Sequence, residues 1–155
     1  MYTWPTALTP SSKNDMKLKI MKLHPDAKVP TRAHSGDAGL DLYAYGEVRL
    51  APGERKSIPL GIAMEIPEGH AGLIWDKSGL SHKYGLKNFG GVIDAGFRGE
   101  IHVGLMNLSD REFVFEKGHK IAQMLIQKVE ILDCVEVGHL DDSSRGAKGF
   151  GSSGR

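Results

Sequence analysis

The chain has 155 residues, of which 40% are hydrophobic and 25% charged, with a formal net charge of +1. That length suits one domain with a substantial core, and the composition is that of an ordinary globular protein. A near-neutral charge gives no broad field for nucleic acid or an anionic membrane surface. No apolar run approaches the ~20 residues of a membrane span. The lone cysteine, Cys134, excludes an intramolecular disulfide framework and points to a reducing, intracellular or cytoplasmic setting.

Residues 1–15 show no basic-then-apolar signal pattern and carry Pro5, Pro10, Ser11 and Ser12, which predicts a flexible N-terminal extension. From there to residue 140, period-two patterns dominate. Lys17–Leu23 alternates polar and apolar residues, as a half-buried strand does. Strand-like runs recur at Gly39–Tyr45, Ile62–Ile66, Ala71–Trp75, Glu100–Asn107, Glu112–Phe115, Ile121–Val129 and Ile131–Val137. Turn signals at Ala51–Glu54, Pro67–Gly69 and Glu116–Gly118 separate several of them. Ser78–Tyr84 is the one short helical candidate, with Ser78 as its N-cap. Many short strands at near-regular spacing predict an all-β fold, a jelly-roll-like barrel or sandwich. Cys134, inside a strand-like run, is expected to be a small buried apolar residue.

The chain changes character at residue 141. Residues 141–155 hold one large apolar side chain, Phe150, between Gly149 and Gly151. So polar a segment cannot bury enough surface to order itself. Its glycines, hydroxyls and Arg145 can wrap an anion through backbone N–H groups. This predicts a mobile arm that closes over a phosphate-bearing ligand.

The densest chemistry lies between Gly90 and Glu100. Asp94 and Phe97 stand three residues apart in a glycine-rich run. Glycines permit sharp turns and close approach of a ligand to the backbone. An Asp held there can serve as a general base for a water, and the ring can wall a small pocket. Taken alone, the segment reads more simply as a hairpin with a turn aspartate and a core phenylalanine, and only its company in the chain favours the chemical reading. None of the seven histidines lies at a metal-binding spacing such as His-x-x-x-His.

Five segments stand out together: Ala38–Ala44, Asp76–Ser81, Gly91–Glu100, Gly118–Met124 and Arg145–Gly154. In this order and spacing they resemble the five motifs of the trimeric deoxyuridine triphosphatases, the dUTPases. The resemblance implies a homotrimer with active sites at subunit interfaces that hydrolyses dUTP to dUMP and pyrophosphate. It also implies Mg²⁺ held mainly by the substrate triphosphate. Carried over by position, Asp94 matches the water-activating carboxylate, and Asp41 the acidic residue that supports the metal through water. Lys77, Ser78, Gly79, Gln123, Arg145, Ser152 and Ser153 match phosphate contacts. Asn88, Gly91, Val92, Ile93 and Phe97 match the sugar and uracil site on a hairpin, which Phe150 and Gly151 of the arm close.

Three residues depart from the family pattern. Phe97 replaces a tyrosine, which removes one hydroxyl and leaves the ring. Lys77 replaces an arginine and so cannot offer the bidentate fork. Lys148 stands where glycine is usual. Two alternatives remain. A dCTP deaminase shares the fold, but its proton-shuttling glutamate would stand where this chain has Gly104. A non-catalytic nucleotide sensor on the same fold is the other, since fold alone does not set function.

Overall fold

The computed structural model describes residues 16–147 and 149. The extension expected at 1–15, and the tail positions Lys148, Phe150, Gly151, Ser152 and Ser153, lie outside the described residues. In chain order the elements are β1 (Lys19–Lys22), β2 (Leu40–Tyr43), β3 (Val48–Leu50), β4 (Arg55–Glu65) and β5 (His70–Trp75). There follow α1 (Ser78–Tyr84), β6 (Leu86–Phe89), β7 (Val92–Asp94), β8 (Glu100–Asn107), β9 (Phe113–Phe115) and β10 (Lys120–Lys128). All strand pairings are antiparallel. One sheet has the order β1-β4-β8-β6, a second β2-β10-β5-β7, and β3 pairs with β9 in a small third. The expected all-β, jelly-roll-like class is what the strands build.

The alternating pattern explains how the sheets meet. Ile101, Val103 and Leu105 point inward from β8, and Ile58, Leu60, Ile62 and Met64 from β4. Leu40, Leu42, Ile74, Ala122 and Met124 face them from the second sheet, while Leu50 and Phe115 close one end. Burying one such aliphatic side chain stabilises by about 1.5–3 kcal/mol. Asn107 continues the inward row of β8 and is wholly buried. Its amide donates to the Leu50 and Arg111 carbonyls, and its Oδ1 accepts from Ser109, so its polarity is fully paired.

Several expectations need correction. Ile131–Val137 forms no strand, and Ile131, Leu132 and Val135 are all more than three-quarters exposed. Cys134 is likewise exposed, not buried. The alternation is present there, but the segment pairs with no strand among the described residues. Ser78 is the first helical residue, and the N-cap is Lys77, which makes no side-chain capping bond. Strand β3 and the first half of β4 escape notice because they are short or carry charge and proline, and β6 and β7 are expected only as the arms of one hairpin. Among the described residues no helix is long and apolar enough to cross a membrane.

Candidate active site

Asp41 sits on β2 with 4% exposure. Its Oδ1 accepts from Lys77 Nζ at 2.5 Å, and Lys120 Nζ lies 2.6 Å from Oδ2. Burial alone would raise the carboxyl's pKa, but the ammonium groups of Lys120 and Lys77 outweigh it and hold it below the ordinary value. Lys120 is raised in turn by Asp41. The carboxylate between two lysines borders a cleft of about 460 Å³, lined by Asp37, Gly39, Asp41, Lys77 and Gln123, where the two carboxylates formally balance Lys77 and Lys120. Gln123 pairs with Asp41 on one side and Trp75 on the other. Its Nε2 donates to the Asp76 carbonyl at 2.9 Å. Ser78 and Gly79 open α1 just beyond Lys77, and nothing stands within 4 Å of where a Gly79 Cβ would be. The first amides of a helix have no intrahelical acceptor. The motif residues Asp41, Lys77, Ser78, Gly79 and Gln123 thus share one neighbourhood. Lys120, which sequence reasoning missed, belongs with them; its place in the Gly118–Met124 segment was the available signal.

A second cleft, about 300 Å³, is lined by Ile74, Trp75, Asn88, Phe89, Gly91 and Val92, among others. The expected hairpin from Asn88 to Ile93 is not one: β6 pairs with β8 in the first sheet, whereas β7 pairs with β5 in the second. The chain changes sheets through Gly90 and Gly91, with φ of 67° and 106°. A Cβ at Gly91 would meet Ile74 Cβ at 3.0 Å, so the crossing needs glycine on both counts. Ile74 N–H donates to the Gly91 carbonyl, and Asn88 Nδ2 to the Ile74 carbonyl. Asn88 Oδ1 is buried and has no partner among the described residues. An orphaned buried acceptor is costly unless a ligand donor meets it.

Asp94 ends β7 and is exposed. Its carbonyl accepts from Phe97 N–H, closing a turn that Arg98 supports by donating to the Ala95 and Phe97 carbonyls. The carboxylate makes no ion pair among the described residues. Phe97 is 43% exposed, not a core residue. Its ring lies over Gly99, where a Cβ would come within 2.6 Å of Cζ. Ile93, between Val92 and Asp94, packs against the core.

The two carboxylates do not meet within one chain. Asp41, Gln123 and Trp75 form one row across the second sheet, while Asp94 stands opposite Ala71, four residues back along β5. Three strand spacings across and four residues along put the Asp41 and Asp94 backbones on the order of 19 Å apart. Arg145 Nη2 donates to the Gly149 carbonyl at 3.4 Å, and among the described residues none beyond 140 lines either cleft.

Two lysines gathered at one cleft and an unmatched amide oxygen beside the other are groups that can meet phosphates and a polar ring. The chain belongs to the dUTPase family, whose sequence profile matches residues 25–154. It is 51% identical over 140 residues to the deoxyuridine 5'-triphosphate nucleotidohydrolase of Nocardia farcinica, covering 88% of this chain and 85% of that one. Against the protein of the same name from Mycolicibacterium gilvum, identity is 47% over 145 residues, covering 88% and 94%. Among solved structures, the chain superposes on a Staphylococcus bacteriophage 80alpha dUTPase variant with dUpNHpp. The TM-score is 0.84 at 31% identity, covering 90% of this chain and 99% of that one. A dUTPase variant from phage phi11 of S. aureus, described with a structural Mg(II) ion, gives a TM-score of 0.76 at 27% identity, covering 82% and 100%.

Proposed function

We propose that Asp94 activates the water with which this dUTPase hydrolyses dUTP to dUMP and pyrophosphate, in sites completed by neighbouring copies of a homotrimer. The observation that carries the shared site is the separation of Asp94 from Asp41 and Lys77 within one chain. Groups that act together on one phosphate chain need to lie closer than this, which supports a second copy supplying one of the two neighbourhoods. The apolar side chains exposed along 131–140, including Ile131, Leu132, Val135 and Leu140, support contact with such a copy.

In the reaction, the water oxygen attacks the α-phosphorus as Asp94 takes its proton, and the bridging oxygen leaves with pyrophosphate. A positioned base contributes about 10²–10⁴-fold; the larger part comes from positioning and charge stabilisation. Lys77, Ser78, Gly79 and Gln123 hold phosphates, with Lys120 adding charge through Asp41. Phe97 packs against the deoxyribose. Asn88 Oδ1 accepts the N3–H of uracil; cytosine carries no hydrogen there and would leave that buried acceptor unmatched. Gly91, Val92 and Ile93 shape the same pocket. The segment 141–155 supplies Arg145, Phe150, Gly151, Ser152 and Ser153 to the bound nucleotide, and 16–140 is the catalytic β-domain. In the cell the activity limits uracil entry into DNA and supplies dUMP for thymidylate synthesis, in an intracellular setting.

Mg²⁺ fits this donor set. Among the described residues no three His, Cys, Asp or Glu side chains converge on a metal position. Mg²⁺ commonly keeps several waters and binds through substrate phosphates. Asp41 would reach it through water, and the ion supplies neutralisation of phosphate charge when bound.

The deaminase alternative meets a steric obstacle. A Cβ at Gly104 would lie 2.7 Å from the Phe89 ring and 2.8 Å from its carbonyl oxygen, so a glutamate has no room there. The deciding experiment follows pyrophosphate and ammonia separately from dUTP and dCTP with Mg²⁺, for the wild type and Asp94→Asn. Pyrophosphate from dUTP, lost in the variant with binding kept, is expected. Near-normal turnover in the variant would overturn the base assignment, and tight dUTP binding with no product from the wild type would favour a sensor.

A further inference from the structure

We propose that Asp76 is a positioning residue for nucleobase selection, holding Asn88 at the lip of the apolar cleft. This rests on Asn88 being the group that reads the base. Asp76 lies between the end of β5 and the start of α1, with its side chain 19% exposed. Oδ1 accepts the Asn88 backbone N–H at 2.6 Å, and Oδ2 accepts from Lys87 Nζ at 2.5 Å.

The topology makes these bonds consequential. Strand β6 is an edge strand whose ladder joins it to β8 alone, in the first sheet. Asp76 and Ile74 belong to the other side of the cleft, at the end of β5 in the second sheet. No ladder ties the two sheets at this lip. The Asp76 carboxylate and the Asn88 amide do so, one bonding backbone N–H and the other the Ile74 carbonyl. Without the carboxylate, an edge-strand N–H beside a buried side chain loses its acceptor. Asn88 is then free to shift, and its unmatched Oδ1 no longer faces a fixed ring edge. The same Asp76 offers its carbonyl to Gln123 in the cleft beside Lys77, so the base lip and the phosphate segment Lys77–Ser78 share one anchor.

The test compares Asp76→Ala, Asp76→Asn and Asn88→Ala in the full chain. Readouts are kcat and KM for dUTP, inhibition by dCTP, and Tm. Asp76→Ala is expected to raise the KM for dUTP about tenfold, the loss of roughly one charge-assisted hydrogen bond. It should change kcat less than threefold and narrow the preference for dUTP over dCTP. Asp76→Asn keeps an acceptor for the Asn88 N–H and should recover most of the KM and the preference. A lowered Tm with KM and preference unchanged, measured well below the transition, would overturn the proposal and leave Asp76 a purely structural cap. So would an Asn variant as impaired as the Ala variant. If Asn88→Ala itself leaves KM and preference unchanged, the base-reading role of Asn88 fails, and the proposal falls with it for that distinct reason.

Discussion

Asp41 and Asp94 are carboxylates on the same sheet that meet opposite environments. Asp41 is 4% exposed and clamped by two ammonium groups, whereas Asp94 is exposed at a turn with no cation beside it among the described residues. A doubly paired carboxylate is a poor base, because its charge is already neutralised and its proton affinity depressed. It is well suited to orienting cations. An unpaired carboxylate at a strand end can accept a proton from water once substrate and a second protomer enclose it. The same side chain thus meets two environments, which support the two roles proposed for it.

The sharpest way to break this contrast is to neutralise Asp94. Asp94→Asn should lower kcat by about 10²–10⁴-fold with dUTP binding kept, as followed by pyrophosphate release and calorimetry. Truncation after Leu140 should leave a folded trimer with little activity, checked by light scattering and turnover; full activity would remove the arm from the reaction. Asp41→Asn should cost about tenfold in turnover by releasing Lys77 from its partner.

Asp41→Asn also sharpens the comparison through pH. Because the folded-state pKa of Asp41 is depressed, its contribution to stability is present above the ordinary carboxylate range and is lost as pH falls through the lowered value. The raised pKa of Lys120 means that its contribution is present at neutral pH and lost only as pH rises through that raised value. Between pH 7 and about pH 3 the wild-type Tm should therefore fall more steeply than that of Asp41→Asn. Parallel curves would show that the clamp does not contribute. The smallest effect is expected from Lys77→Arg, which gains a bidentate fork and should lower the KM for dUTP by about two- to threefold.

Much of the fold was legible. The limits of β8 follow directly from the alternation of Ile101, Val103 and Leu105 with polar neighbours, and α1 spans the expected Ser78–Tyr84. The run Ile131–Val137 misled because alternation records a capacity to pair without naming the partner. Charged Arg55 and Lys56 and the strand proline Pro59 concealed the first half of β4, which the ladder to β8 carries through to a bulge before Ala63. The family and its motif order were visible in short local spacings. The contacts of Lys120 and Asp76 were not, since Lys120 reaches Asp41 across strands and Asp76 reaches Asn88 across two sheets.

By itself, then, the sequence determined the all-β class, the dUTPase motifs and the residue types available for phosphate, base and water. These depend on period and local spacing, which survive in one dimension. Only the tertiary structure decided that Asp41 is paired with two lysines while Asp94 makes no ion pair among the described residues, that β6 and β7 part into different sheets, and that one chain keeps these two carboxylates in separate neighbourhoods. Charge, burial and distance are properties of packing, and packing brings together residues that the chain keeps far apart.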